Sequence, residues 1–186
     1  MADRLLILGA SARAAAASAR RAGYEPVAID LFADRDTKQI CEAIRVPSEE
    51  YPEGLFLAAR KQPAMPWMYT GGLENYPDLV GELARERELW GNGPEVLREV
   101  RDPMKLASWL DSKCLSRPEL WKPADELPEN PANWLRKPLR SAGGRDIRHA
   151  TSADFEYPCE EYFLQKFVAG ESMSAIFLAL KGHHFT

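Results

Sequence analysis

The first thirty residues carry a pattern that few folds accommodate: an apolar strand, a glycine turn, a helix and a second apolar strand. Residues 4 to 8 (RLLIL) are apolar after the first position, as in a strand buried on both faces. Residues 12 to 22 (ARAAAASARRA) are mostly strong helix formers, and Gly23 is placed to end that helix. Residues 26 to 31 (PVAIDL) supply the second strand. Together they predict a β-α-β unit with parallel strands and a right-handed crossover.

The alternation of strand and helix continues for about ninety residues. The apolar runs and turn residues predict a third strand within 40–46, a helix over 53–61, a short strand within 66–72, a helix from Pro77 to about Glu88, and a short strand in ELWGN. Repeated alternation of this kind indicates the α/β class, with a parallel sheet covered by helices on both faces.

The character of the chain changes after Gly93. Two short helices are predicted over 94–101 and 103–113, and seven of the fourteen prolines then fall between Pro94 and Pro138. Beyond a proline-rich loop come three strand-like runs separated by turn residues: NWLRKPL, RDIRHA and EYFLQKFV. These runs predict a small antiparallel sheet in the second half of the chain.

Composition limits the classes of function. The chain has 186 residues with 45% hydrophobic and 28% charged residues, as in globular proteins, and its net charge of −4 argues against a nucleic-acid partner. The cysteines, Cys41, Cys114 and Cys159, lie far apart without metal-binding spacing and are predicted to be reduced thiols. The N-terminal apolar run is too short for a signal peptide, and no run approaches the ~20 apolar residues of a membrane span. We therefore expect a cytoplasmic protein without a membrane partner.

The turn after the first strand is the first candidate binding site. Gly9 begins a segment that stands where a dinucleotide-binding G-x-G-x-x-G would stand, and Asp30 follows at about the spacing of a ribose-binding acid. Ser11 and Ala14 replace the second and third glycines, and each Cβ hinders close approach of a pyrophosphate to the backbone. Two interpretations therefore remain open: an NAD(P)-binding site of an oxidoreductase, or a plain turn that needs one glycine.

The second candidate site lies further along the chain. Lys105 falls in RDPMKLASWL, Lys137 in WLRKPLRSAGGRDI, and the last strand-like run ends in Gln165-Lys166-Phe167-Val168. Each element alone has an ordinary explanation, namely solvated lysines and a Gly143-Gly144 hairpin turn. Their order and spacing after an α/β domain carry more information than any one of them.

In that order the chain resembles the ATP-grasp superfamily, the ATP-dependent carboxylate–amine ligases and their carboxylase relatives. The resemblance covers essentially the whole chain. It implies a Rossmann-like pre-ATP-grasp domain over residues 1–95, an α+β ATP-grasp small lobe over 96–170, and the start of a C-terminal lobe over 171–186. It also implies an ATP-dependent carboxylate–amine or carboxylate–thiol ligase that acts through an acyl phosphate, with an unidentified carboxylate substrate.

The resemblance implies roles for particular residues. Lys105 and Lys137 would face the phosphates of ATP, and the loop containing Ser141, Gly143 and Gly144 would close over them with backbone N–H groups. Gln165, the carbonyl of Lys166 and the N–H of Val168 would contact the adenine. Glu171 would hold the ribose hydroxyls. It stands one residue before the position of the family's ribose-binding acid, which Ser172 occupies in this chain.

The chain departs from the family at the metal. The family's Mg²⁺ ligands lie well beyond the adenine-binding strand, but no Asp or Glu follows Glu171, and the His183-His184 pair suits magnesium poorly. No metal ligand is therefore predicted here, and a second chain is one source of the missing lobe. Three hypotheses stay open: an incomplete ATP-grasp ligase, a nicotinamide-dependent oxidoreductase, and a non-catalytic nucleotide-binding protein.

Overall fold

The computed structural model describes residues 3–157, 159–171, 173–174, 178–180 and 183–185. Its first part is a four-stranded parallel sheet in the order β3-β2-β1-β4. The strands of this sheet are β1 (Arg4–Leu8), β2 (Glu25–Asp30), β3 (Glu42–Arg45) and β4 (Trp67–Tyr69). A parallel bridge between Trp67 and Leu89 continues the sheet beyond β4. The segment ELWGN, which was expected to form a short strand, contributes this bridge and not a full strand.

Helices cover both faces of this sheet, as the apolar strands require. They are α1 (Arg13–Arg21), α2 (Arg35–Ile40), α3 (Glu53–Arg60) and α4 (Pro77–Glu86). The alanines of α1 pack against Leu5 and Ile7 on one face, whereas α3 and α4 pack against Leu6 and Leu8 on the other. Alternate side chains of β1 thus enter opposite cores, because successive residues of a strand point to opposite faces.

The second part contains the helices α5 (Pro94–Val100) and α6 (Pro103–Ser112) and a three-stranded antiparallel sheet in the order β6-β5-β7. Its strands are β5 (Trp134–Pro138), β6 (Arg148–His149) and β7 (Tyr162–Lys166), with the short helix α7 (Ser152–Glu156) between β6 and β7. Trp134, Phe155 and Leu164 form a core between α7 and one face of the sheet. The opposite face carries Lys137 and Gln165 and is turned towards the cavities described below.

A short ladder, β8 (Leu178–Leu180) paired with β9 (His183–Phe185), follows near the end of the described chain. From the sequence, an exposed apolar patch is also predicted near the run SMSAIFLAL (172–180); residues 172 and 175–177 of that run, including the ribose-contact position at Ser172, lie outside the described residues. Among the residues described, no helix is long and apolar enough to cross a bilayer.

The predicted α/β character and parallel sheet are confirmed, and so is the position of Gly23, whose φ of +91° is the left-handed conformation expected after α1. The chain also forms two helices that were not expected, α2 and α7. The division into a pre-ATP-grasp domain, a small lobe and a third lobe stays a prediction.

Candidate functional site

A cavity of about 410 Å³ lies between α6 and the open face of the antiparallel sheet, and we call it the loop cavity because the glycine loop borders it. Several residues singled out from the sequence meet at its wall. These are Lys137, Ser141, Gly143, Gly144 and Gln165. The remainder of the wall is largely apolar and includes Leu106 and Ala107 of α6. Residues from three separate segments of the chain therefore converge on one space.

Lys137 is held in this cavity by the pairing of β5 with β7. The register places Lys137 opposite Phe163 and Leu135 opposite Gln165, so that Lys137 and Gln165 share one face of the sheet. The Nζ of Lys137 donates a hydrogen bond to Oε1 of Gln165 at 3.2 Å and lies 5.6 Å from the centre of the Phe163 ring. Among the described residues, the ammonium group has one acceptor, the neutral Gln165 amide, and no acidic partner.

The glycine loop is exposed and adopts left-handed backbone conformations. Gly143 and Gly144 have φ values of +64° and +75°, and a Cβ added to either would meet no atom within 4 Å. The glycines are therefore required by backbone conformation rather than by crowding. Such a conformation lets N–H groups turn towards a ligand, and both glycines are exposed.

Lys105 lies close to this site but borders a different space. It is in the first turn of α6, where its Nζ forms an exposed ion pair with Glu99 at 3.0 Å. The cavity that it lines has a volume of about 590 Å³ and is bordered by Trp121, Tyr162 and Phe163, so we call it the aromatic cavity. The two cavities share five lining residues, namely Glu74, Arg101, Pro103, Leu139 and Phe163.

The residues after Gln165 border neither cavity. Lys166 forms an exposed ion pair with Glu119 at 2.8 Å, and Val168 and Glu171 are exposed. Phe167 donates its backbone N–H to the carbonyl of Asn133, while the N–H of Val168 makes no hydrogen bond within the described part of the chain. The adenine contacts expected of these residues stay predictions.

Arg101 is a component of this site that was not singled out from the sequence. It lines both cavities, and its Nη2 donates to the carbonyl of Ser141 at 2.9 Å and to the side chain of Asn75. Asn75 also donates to the carbonyl of Gly72 at 3.2 Å, so the pair ties the glycine loop to the part of the chain that follows β4. No periodicity marks Arg101, and only the folded arrangement reveals its contacts.

The structure assigns Asp30 a role that competes with ribose binding. Its carboxylate is 2% exposed, and its two oxygens accept from the backbone N–H groups of Ala12, Phe32 and Ala33 at 2.9, 2.9 and 2.6 Å. Gly9 is required for packing, because a Cβ there would lie 1.8 Å from Oγ1 of Thr70. Both residues are thus used by the turn itself, which argues against the dinucleotide interpretation.

The charges around the loop cavity favour an anion. Lys137, Arg101 and Arg117 line it with one acid, Glu74, whose carboxylate accepts from the N–H of Gly72 at 2.6 Å. Hydrogen bonds from Arg117 to Asp111 raise the pKa of the guanidinium and lower that of the carboxyl, so this arginine is already paired. Lys137 and Arg101 remain as the cations that face the space.

Magnesium does not fit the residues that surround the two cavities. Within the described ranges, no group of three or more His, Cys, Asp or Glu side chains could hold a metal ion. Glu74 and Asp102, the described acids that line these cavities, already accept backbone N–H groups and do not supply the several oxygen ligands that Mg²⁺ requires. The magnesium expected from the family resemblance therefore has no site among the described residues.

No protein-family model and no curated protein matches this sequence. Solved structures do match. They include the N5-carboxyaminoimidazole ribonucleotide synthetase of Thermotoga maritima (16% identity, TM-score 0.55), covering 89% of this chain and 46% of that one. The N5-carboxyaminoimidazole synthetase of Staphylococcus aureus complexed with ADP also matches, at 11% identity and a TM-score of 0.58. The match covers 88% of this chain and 46% of that one. A third match is the biotin carboxylase domain of the Hydrogenobacter thermophilus 2-oxoglutarate carboxylase, in complex with MgADP, ADP and bicarbonate. It has 16% identity and a TM-score of 0.63, and the match covers 88% of this chain and 44% of that one.

These proteins are ATP-grasp carboxylate–amine ligases, and the likeness shows that this chain shares their fold over most of its length. The chain spans less than half the length of each of the three. The resemblance read from the sequence is confirmed at the level of fold.

Proposed function

We propose that the loop cavity binds the nucleotide of an ATP-dependent carboxylate–amine or carboxylate–thiol ligase. The observation that carries the proposal is the convergence of Lys137, the glycine loop and Gln165 on one cavity. Solved structures of the same fold are complexed with ADP, which supports a nucleotide as the ligand.

The geometry suggests how a nucleotide would lie in this cavity. Gln165 is near the C-terminal end of β7, whereas Lys137 and the glycine loop lie towards the end where β5 pairs with Tyr162. An adenine contacted by Gln165 would therefore direct its phosphates towards Lys137 and the loop. Lys166, Val168 and Glu171, just beyond Gln165, would contact the base and ribose, as expected from the sequence.

Bound ATP would supply the phosphoryl group that activates a carboxylate as an acyl phosphate. Lys137 would neutralise phosphate charge, and the N–H groups of the glycine loop would donate to phosphate oxygens. Lys137 must then give up its hydrogen bond to Gln165, which frees the Gln165 amide for the base. Lys105 would reach the phosphates only from the neighbouring aromatic cavity.

Magnesium would have to be held by residues outside the described part of the chain. A further lobe of the same polypeptide, or a second chain, is the proposed source, and we derive no metal-dependent step from the residues present. The protein is proposed to act in the cytoplasm. A protein that binds the nucleotide without catalysis would use the same cavity. It would differ from a ligase in that it does not turn over ATP.

The proposal is tested by isothermal titration of the chain with a non-hydrolysable ATP analogue and, separately, with NAD. We expect binding of the ATP analogue but not NAD, and a loss of about tenfold or more in affinity in Lys137→Ala, because a charge-assisted contact is removed. Lys113→Ala is the matched control, since Lys113 is exposed and borders neither cavity. Binding of NAD alone, or equal affinity in Lys137→Ala, would contradict the proposal.

A further inference from the structure

The proposed function places no ligand in the aromatic cavity. It is the larger of the two adjoining cavities, and its wall combines aromatic and aliphatic side chains with several charges. Four of those charges are cationic and two are acidic: Arg98, Arg101, Lys105 and Arg140 against Glu74 and Asp102. Cavities of a few hundred Å³ with an apolar wall and a small number of polar groups are typical sites for small molecules.

The two acids are already engaged by backbone groups. The carboxylate of Asp102 accepts from the N–H groups of Met104 and Lys105 at 2.9 and 3.1 Å, where it caps α6. Glu74 accepts from Gly72, as noted above. Arg140 is exposed and forms no hydrogen bond or ion pair within the described residues. Arg98 and Lys105 are already paired with Asp78 and Glu99, so a ligand in this cavity would meet Arg140 and Arg101 as its cations.

The position of the cavity along β7 relates it to the nucleotide. Along this strand, Gln165 borders the loop cavity alone, Tyr162 and Leu164 border the aromatic cavity alone, and Phe163 borders both. If the adenine lies near Gln165 and the phosphates near Lys137, which pairs with Phe163, then the aromatic cavity adjoins the phosphates at Phe163. A second reactant must approach a terminal phosphoryl group within about 3–3.5 Å of its reacting atom, and the shared wall provides such proximity.

We propose that the aromatic cavity binds the carboxylate substrate, and that this substrate is a monoanion with an aromatic or bulky apolar body. The inference rests on the proposed function, because it needs a nucleotide in the loop cavity. Arg140 and Arg101 attract the carboxylate, while Trp121, Tyr162 and Leu97 contact the apolar body. Burial is the largest cause of a raised pKa of the Tyr162 hydroxyl, so this ring stays neutral and adds no competing anion.

Another location for the second reactant is less suitable. The third cavity, of about 310 Å³, is bordered by Arg4 and Trp90 and by residues 63–66 at the N-terminal edge of the parallel sheet. It shares no lining residue with the loop cavity. A molecule bound there could not reach the phosphates.

The test uses phenylacetate as the probe and the uncharged phenylacetamide as its control, with ¹H–¹⁵N spectra of the whole chain. The indole N–H signal of Trp121, assigned with Trp121→Phe, reports on the aromatic cavity, and the amides of Gly143 and Gly144 report on ADP. We expect phenylacetate to shift the Trp121 signal, ADP to shift the glycine signals, and both ligands to bind together. Phenylacetamide should bind about tenfold more weakly, the effect of losing one charge-assisted contact.

The variant Arg140→Gln should weaken phenylacetate binding by a similar factor and leave ADP binding unchanged. Arg145→Gln, an exposed arginine that borders neither cavity, is the matched control and should change neither. ADP binding at the loop without a phenylacetate response at Trp121 would overturn this inference and leave the proposed function standing. Displacement of phenylacetate by ADP would also overturn it, because the aromatic cavity would then be part of the nucleotide site. A failure of ADP to shift the glycine signals would overturn both.

Discussion

At the scale of single residues, Asp154 is the centre of a cluster of polar contacts in the second half of the chain. Its buried carboxylate accepts two hydrogen bonds from Arg148, at 2.7 and 2.8 Å, and two from the N–H and hydroxyl of Thr151, at 2.8 and 2.9 Å. The hydrogen bonds from Arg148 are the main reason that the pKa of Asp154 falls to about 2, and the Thr151 contacts add to the effect while burial opposes it. This cluster joins α7 to β6.

We predict a pH-dependent cost for Asp154→Asn. Because the folded pKa is about 2 and the ordinary value is 3.8, the carboxylate contributes stability above about pH 4, and the contribution is lost as the pH falls towards 2. Arg148 is half exposed, so the contribution is roughly 1–2 kcal/mol at pH 7. Urea denaturation at pH 7 and pH 2.5 measures it, and a stability difference between the two proteins that does not shrink at pH 2.5 would refute this explanation.

Gly9 offers a second prediction for one residue. Gly9→Ala should lower the free energy of unfolding by about 2 kcal/mol, because the new Cβ would overlap Oγ1 of Thr70. Gly71→Ala is the control: a Cβ at Gly71 meets no atom within 4 Å, and its stability should change little. Adding Thr70→Ala to Gly9→Ala should recover part of the loss. Equal thermal unfolding of both single variants would show that Gly9 is not a packing glycine.

At the scale of elements, the junction between α5 and α6 is tied to the glycine loop through Arg101. The guanidinium contacts the carbonyl of Ser141 at the base of the loop and the side chain of Asn75 in the turn after β4. The loop itself has few other restraints, with backbone hydrogen bonds of 3.3 and 3.4 Å inside the turn. Arg101 therefore sets where the base of the loop lies relative to Lys137.

We predict that Arg101→Ala loosens the loop without unfolding the protein. Amide hydrogen exchange over residues 140–147 should become faster, by the equivalent of about 1–2 kcal/mol of local opening, since a charge-assisted contact is lost. Arg98→Ala is the matched control, because Arg98 lies one turn earlier and, within the described part of the chain, pairs with the exposed Asp78 and not with the loop. Unchanged exchange in Arg101→Ala, or an equal increase in both variants, would exclude this role.

The elements that sequence patterns predicted are those with a clear local signal. The alanine-rich α1, the apolar β1 and β2, and Pro77 at the start of α4 all follow from periodicity and propensity. The helix α2 (RDTKQI) was missed because it has almost no apolar periodicity and is started by the side chain of Asp34, which accepts from the N–H of Thr37. The segment ELWGN was expected to be a full strand but contributes only one bridge.

At the scale of the whole molecule, the site is assembled from segments far apart in sequence. Local patterns alone gave Lys137 and the glycine loop an ordinary explanation, and the likeness to a family suggested both of them and Gln165 as site residues. No local pattern could place Lys105 on the far side of the shared wall or bring Arg101 and Asn75 to the loop, because those contacts depend on how α5 and α6 meet the two sheets. Asp30, the candidate ribose ligand, is buried and accepts instead from backbone N–H groups next to β1 and β2.

The central claim is that a nucleotide binds at the loop cavity and not at the turn after β1. Amide hydrogen exchange of the chain with and without saturating ADP tests this claim directly, because it reports both locations in one experiment. We predict slower exchange over residues 138–147 and 162–168, with no change over 9–12 and 30–33. Protection of 9–12 and 30–33, with the glycine loop unaffected, would contradict the account and restore the dinucleotide interpretation.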